Sequence, residues 1–255
     1  MRIIYRSIFL IFFLTLSCAK DDSLGNDLNN SNYTFKQQAG YSANDILSNE
    51  KFSDIYVEVM YVDGFKPSAE TLTNLKNFIG SRTNKTNIVI EERLINITLK
   101  SIYSMEDVRS IEDVNRSIFS IENQLAISAL FLNGKSSSDT DTETILGTSY
   151  RNTSFVIFEE TIQAASNDIL GPSKIILEST VILHEFCHLL GLVNLGTSMV
   201  VNHEDTTHNA HCTNENCLMY YLIENGKNAH HWAKNEQIPQ LDTNCINDLR
   251  ANGGK

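Results

Sequence analysis

The stretch from Ser173 to Gly191 constrains this chain more than any other part of it. It is apolar, has no internal glycine or proline, and follows Pro172. Pro172 and Ser173 are helix-start signals, and Gly191 is a stop signal. The pattern predicts a buried helix of about five turns. Within it, residues 184–188 read His-Glu-Phe-Cys-His. Histidines four apart lie on one helical face, a turn from each other. His184 and His188 are therefore candidates to offer imidazole nitrogens to one Zn²⁺. Glu185, beside the first of them, is placed to take a proton from a zinc-bound water and pass it to a leaving amine. The alternative is a core helix with two satisfied histidines.

The next residues sharpen the class. His184, Glu185, His188 and Gly191 fit H-E-x-x-H-x-x-G. The stretch resembles the metzincin family of zinc peptidases as far as that glycine. A glycine there lets the chain turn with positive φ and bring back a third ligand. The family's third histidine falls at Asn194 in this chain, and an amide is a poor zinc ligand beside imidazole. All seven histidines lie between 184 and 231. His211, Cys212, Cys217 and Met219 resemble the archaemetzincin pattern of third-ligand His, Cys, four residues, Cys, one residue and Met.

That resemblance implies His211 as the third ligand, with residues 194–210 as an insertion. His203 is the alternative, and His208 comes after it. It also implies that Met219 is the Met-turn methionine, an apolar floor under the metal. Tyr221, two residues on, would stabilise an oxyanion, or simply pack. The likeness is good over residues 175–221 and holds elsewhere in outline. Its Gly-Leu-Val-Asn, His-Glu-Asp and His-Cys elements are similar to those of a group of Bacteroidetes-type lipoprotein metalloproteases. The archaemetzincin pattern also has later cysteines that build a second, structural zinc site. Here only Cys245 follows, with no C-x-x-C, so one catalytic zinc ion is expected.

The amino terminus speaks to location. Arg2 and Arg6 precede a continuous apolar run over residues 8–14, as in a signal peptide spanning residues 1–17. The run is short for a membrane span. Ser17 and Cys18 resemble the end of a bacterial lipobox, with Thr15 where Leu is usual. The resemblance implies that Cys18 is the lipidated residue anchoring the mature chain to a membrane. An ordinary cleaved signal peptide is the alternative. Lys20, Asp21 and Asp22 resemble the surface-export signal of Bacteroidetes lipoproteins, implying an extracytoplasmic, outer-membrane location with surface display; a solvated charged tether is the plain reading. Residues 18–50 are rich in Asn, Asp and Ser and predict a flexible tether.

Four further cysteines, 187, 212, 217 and 245, permit three pairings. Outside the cytoplasm disulfides are allowed. Cys212 with Cys217 is the expected pair, leaving Cys187 for Cys245 or as a buried thiol. The net charge of −11 argues against a nucleic-acid partner.

Residues 55–62, 87–91, 125–132 and 155–158 read as strands, and residues 94–99 as a further candidate. Helical spacing covers residues 67–79 and 105–119, the latter with a break expected near Ser110. The expected fold is α+β and zincin-like, a twisted mixed sheet over an active-site helix with a small C-terminal subdomain. The catalytic domain is assigned to residues 51–250, its subdomains meeting after residue 191. Residues 155–160, or a neighbouring strand, are the candidate cleft edge, with Glu159 and Glu160 as rim acids or merely solvated ones. His230, His231 and Trp232 read as a partly buried cluster. The implied function is zinc-dependent hydrolysis of a peptide or protein substrate. The alternatives are a zinc-containing lipoprotein that binds peptide or glycan without turnover, and a surface protein in which zinc only folds a loop.

Overall fold

The computed structural model describes residues 33–167, 171–226 and 237–255. Residues 1–32 fall outside these, so the signal peptide, Cys18 and the charged residues after it do too. His230, His231 and Trp232 likewise lie outside the described residues.

A five-stranded sheet organises the chain, in the order β2 (Asn87–Leu94), β1 (Asp54–Tyr61), β4 (Gln124–Leu132), β7 (Ser154–Phe158) and β6 (Gly147–Arg151). The first four run parallel and β6 runs antiparallel at the edge. A two-stranded parallel ribbon joins β3 (Ile102–Tyr103) to β5 (Lys135–Ser136). Alternation along the strands supplies both faces of the sheet. Ile55, Val57 and Val59 of β1, Ile127 and Phe131 of β4, and Phe155 and Ile157 of β7 enter one core. Met60, Leu130, Leu132, Val156 and Phe158 enter the other.

The larger core is covered by α2 (Ala69–Arg82) and α5 (Lys174–Leu189). Ser173 caps α5 by accepting from the Ile176 N–H, as the start signal implied. Phe186 of α5 meets Phe78 of α2 edge to face, with centroids 6.3 Å apart. Glu178 of α5 accepts from the Ser68 N–H at 3.0 Å, placing a carboxylate at the positive end of α2. The other core receives Val108 of α3 (Met105–Asn115).

The long strands and helices lie where the sequence put them, and the mixed sheet with its packed helices agrees with the expected class. Four details differ. Residues 95–101 form no strand, because Leu94 closes β2. Helix α3 runs unbroken through Ser110 and ends at Asn115. Residues 43–47 form α1 (Ala43–Leu47), whose Ala43, Ile46 and Leu47 are buried, so the ordered chain begins before the expected end of the tether at 50. The C-terminal part, with α6 (Thr243–Ala251), sends Leu218, Met219, Leu241 and Leu249 into the larger core, so among the described residues it shares a core with the sheet.

Candidate metal centre

Helix α5 is buried along almost its whole length, and its last two turns carry His184, Glu185 and His188. Gly191 follows with φ of +70°, and a Cβ there would lie 2.7 Å from the Thr197 nitrogen, so the sharp turn requires glycine. Asn194 has φ of +65° and donates to Glu204 at 3.3 Å, away from the histidines. The chain returns at His211, which stacks on His184 with ring centroids 5.2 Å apart.

Three imidazole nitrogens converge. His184 Nε2 lies 3.1 Å from His188 Nε2 and 3.3 Å from His211 Nε2. A fourth donor was not foreseen. Glu224 Oε1 lies 3.1, 2.9 and 3.2 Å from the Nε2 atoms of His184, His188 and His211. A tetrahedral zinc ion with bonds of about 2.0 Å keeps its donors about 3.3 Å apart. The donor chemistry and spacing therefore fit zinc. Glu224 ends a short 3₁₀ turn, Tyr221–Glu224, and no residue spacing in the sequence marks it.

Backbone carbonyls fix the ring orientations. His184 Nδ1–H donates to the Leu218 carbonyl at 2.7 Å, and His211 Nδ1–H to the Asn209 carbonyl at 3.0 Å. Each bond places a proton on Nδ1 and leaves the Nε2 lone pair aimed inward. His188 Nδ1 is buried without a hydrogen-bond partner among the described residues. Burial holds the His188 pKa down at about 4, so its imidazole is neutral near pH 7. Met219 is fully buried in the core just beyond Leu218, the carbonyl that orients His184.

Glu185 lies beneath β6. Its Oε2 accepts from Ser149 Oγ at 3.0 Å, and its Oε1 is buried with no partner among the described residues. Burial, then the neighbouring Glu224 charge, pushes its pKa well above the usual carboxylate range. Gly147 makes this seat possible, because a Cβ there would sit 2.8 Å from Glu185 Cγ. The strand beside the site is thus β6, the neighbour of the expected β7, which lies inside the sheet. Glu159 is fully buried and pairs with Lys174 at 2.8 Å, so it cannot serve as a rim acid; Glu160 is exposed.

The other candidates lie elsewhere. His208 bonds Asp205 at 2.7 Å and stacks on Tyr221, centroids 3.5 Å apart. Tyr221, so stacked, lines a hollow of about 210 Å³ beside His211 and Glu224. His203 belongs to a second cluster. Its Nδ1 lies 3.4 Å from Cys212 Sγ, and its Nε2 bonds Asp248 at 2.8 Å.

Cysteines 187, 212, 217 and 245 are all free, so the expected Cys212–Cys217 disulfide is not formed. Cys217 Sγ lies 3.6 Å from Cys245 Sγ. Backbone N–H groups of Met219 and Asp242 donate to Cys217 Sγ, and that of Asn214 to Cys212 Sγ, each at 3.4 Å. Hydrogen bonds from Cys212 and Cys245, with the N–H groups of Met219 and Asp242, pull the Cys217 pKa down to about 4. Donor atoms of His203, Cys212, Asp242 and Cys245 all lie within 4.8 Å of one another, so this group is a second candidate metal cluster, with Cys217 Sγ against Cys245 Sγ. Asp242 caps α6 by accepting from Cys245 N–H at Oδ1, and its Oδ2 accepts from Cys212 Sγ at 3.4 Å. Cys187 is a separate buried thiol on α5.

No protein-family model and no curated protein sequence matches the chain. Among solved structures its fold is similar to the crystal structure of archaemetzincin from Methanopyrus kandleri. The TM-score is 0.51 at 13% identity, covering 78% of this chain and 96% of that one. At this identity the likeness establishes an archaemetzincin-like fold.

Proposed function

We propose that this chain is a zinc metallopeptidase-type hydrolase, with His184, His188 and His211 as metal ligands and Glu185 as general base. One observation carries the reading: three inward-facing imidazoles converge beside a buried carboxyl with an uncommitted oxygen. The archaemetzincin-like fold supports it.

When bound, a zinc ion supplies Lewis-acid polarisation at this position. The chain's own residues do the rest. The Leu218 and Asn209 carbonyls hold two rings in the ligating tautomer. Ser149 pins one oxygen of Glu185 and leaves Oε1 to take a proton. Glu185 then hands that proton to a leaving amine. The outer edge of β6 offers backbone groups for pairing with an extended peptide.

The amino-terminal pattern supports an extracytoplasmic protein, lipid-anchored through Cys18 to an outer membrane and displayed at the surface. The cysteine cluster with His203 is assigned a second, structural zinc, in place of the single ion expected. Glu224 favours another reading of the histidine cluster. Four protein donors close a zinc site, which would make this a binding or structural lipoprotein rather than an enzyme.

The test is hydrolysis of a broad peptide library by the zinc-loaded full chain in detergent, against Glu185→Gln. The variant is expected to keep its zinc and lose rate by about 10²–10⁴-fold. Equal turnover by the two proteins sinks the catalytic reading.

A further inference from the structure

The segment that brings Glu224 to the histidines also occupies the edge of the sheet. Leu146 N–H donates to the Glu224 carbonyl at 3.0 Å, and Gly226 N–H donates to the Thr144 carbonyl at 2.9 Å. Asn225 and Ile145 form an antiparallel bridge between those bonds. On its other side, the Leu146 carbonyl accepts from Phe158 N–H of β7 at 2.9 Å. Residues 144–146 therefore extend the edge strand β6, and residues 224–226 lie along their outer side. This is the backbone pattern by which an extended peptide adds to a sheet edge.

The side chain completes the likeness. Glu224 Oε1 sits within 3.2 Å of all three Nε2 atoms, at the corner of the tetrahedron that a catalytic site keeps for water or substrate oxygen. Two hollows, of about 210 and 220 Å³, share Ile145, His211 and Glu224 in their walls. One of them also reaches His188 and Ser149. The Glu224 side chain, about a quarter exposed, is thus common to both hollows beside the metal position.

We propose that residues 224–226 are an internal pseudosubstrate: they pair with the cleft edge, and the Glu224 carboxylate fills the metal's fourth position. A substrate peptide must displace both, so its backbone competes for the bonds at residues 144 and 146 and its carbonyl for the metal. The inference rests on the zinc reading of the histidine cluster. It differs from the closed-site reading in one respect: here the carboxylate is displaceable, and the ion stays without it.

The test uses acetohydroxamate, a small bidentate zinc probe, on the zinc-loaded full chain in detergent. Its affinity is compared between wild type and Glu224→Ala by calorimetry, with zinc content measured in parallel. If the carboxylate holds the position nine-tenths of the time or more, its removal tightens binding about tenfold or more. Equal affinity in two zinc-loaded proteins overturns the proposal. Loss of the zinc in both Glu224→Ala and Glu224→Gln also overturns it, since the glutamate is then an obligatory ligand of a closed site. Peptide hydrolysis separates this inference from the functional one. Tighter hydroxamate binding with rising hydrolysis, abolished again by Glu185→Gln, supports both. Tighter binding with no hydrolysis of any peptide supports the pseudosubstrate as a plug over the metal and removes the peptidase reading.

Discussion

The histidine cluster and the cysteine cluster lie one residue apart along the chain, at His211 and Cys212, yet are built on opposite plans. The sulfurs of Cys212 and Cys217 accept backbone N–H bonds, and His203 is backed by Asp248. The donors there are held by a local turn or by α6. The histidine cluster instead has, at His188 Nδ1 and Glu185 Oε1, a ring nitrogen and a carboxyl oxygen without partners among the described residues, and two hollows at its side. Unmet hydrogen-bonding capacity in a buried site costs stability. Among the described residues the histidine cluster carries such groups and the cysteine cluster does not. The segment 211–219 joins them, so the cysteine cluster helps to position His211 in the histidine cluster.

The largest expected effect follows from that division. Cys245→Ser is expected to remove one zinc per chain and lower Tm by about 10 °C or more, as structural zinc contributes directly to folding. Because Cys217 and Cys245 sit together at the start of α6, loosening there reaches Leu218, whose carbonyl orients His184. Thermal melts with metal analysis check this. An unchanged Tm and zinc content would erase the distinction between the two clusters.

A smaller effect separates the histidines. His211→Ala is expected to cost the ion of the histidine cluster and leave the cysteine cluster loaded. His203→Ala should do the reverse, and His208→Ala should leave both, since His208 bonds Asp205 and stacks on Tyr221. Metal content of the three purified variants decides between them. Zinc loss on His208→Ala from either cluster contradicts the geometry.

How much of this was legible follows from where each contact is made. The zinc-helix pattern of α5 is local, so its start at Ser173, its buried face and its stop at Gly191 could be read directly. His211 was reached through resemblance alone, since nothing in residues 194–210 shows which histidine folds back. Strand β6 escaped notice because Gly147, Thr148 and Ser149 carry no β-branched apolar alternation; its role depends on Gly147 leaving room for Glu185. Helix α1 was hidden by polar neighbours, although Ile46 and Leu47 are fully buried. Glu224 left no trace in the sequence. Its place is set by backbone bonds to residues 144–146, a pairing between distant segments that no periodicity encodes. The thiols, expected as a disulfide, are free, and the approach of His203 to Cys212 leaves no mark in the cysteine spacing.

The smallest effect is a pH dependence that sets the two clusters against a carboxyl outside both. Glu159 is buried at the start of α4 (Glu159–Ser166), and one of its oxygens lacks a partner among the described residues. Burial, then the nearby Glu178 charge, raises its pKa from 4.5 to about 8. Between these values the folded chain holds a proton that the unfolded chain has released. Its contribution therefore declines as pH rises through that window. Zinc bound at the two proposed sites would run the other way. Their imidazole and thiolate ligands must be deprotonated, so metal is lost as pH falls. Stability of the zinc-loaded chain should accordingly pass through a maximum. In Glu159→Gln the alkaline side of that maximum should flatten while the acid side stays, because the amide has no proton to lose. Tm measured from pH 5 to 9 on both proteins reads this directly. If the alkaline slope persists in the variant, it arises in the clusters themselves, and their protonation, rather than the buried carboxyl, governs stability above neutrality.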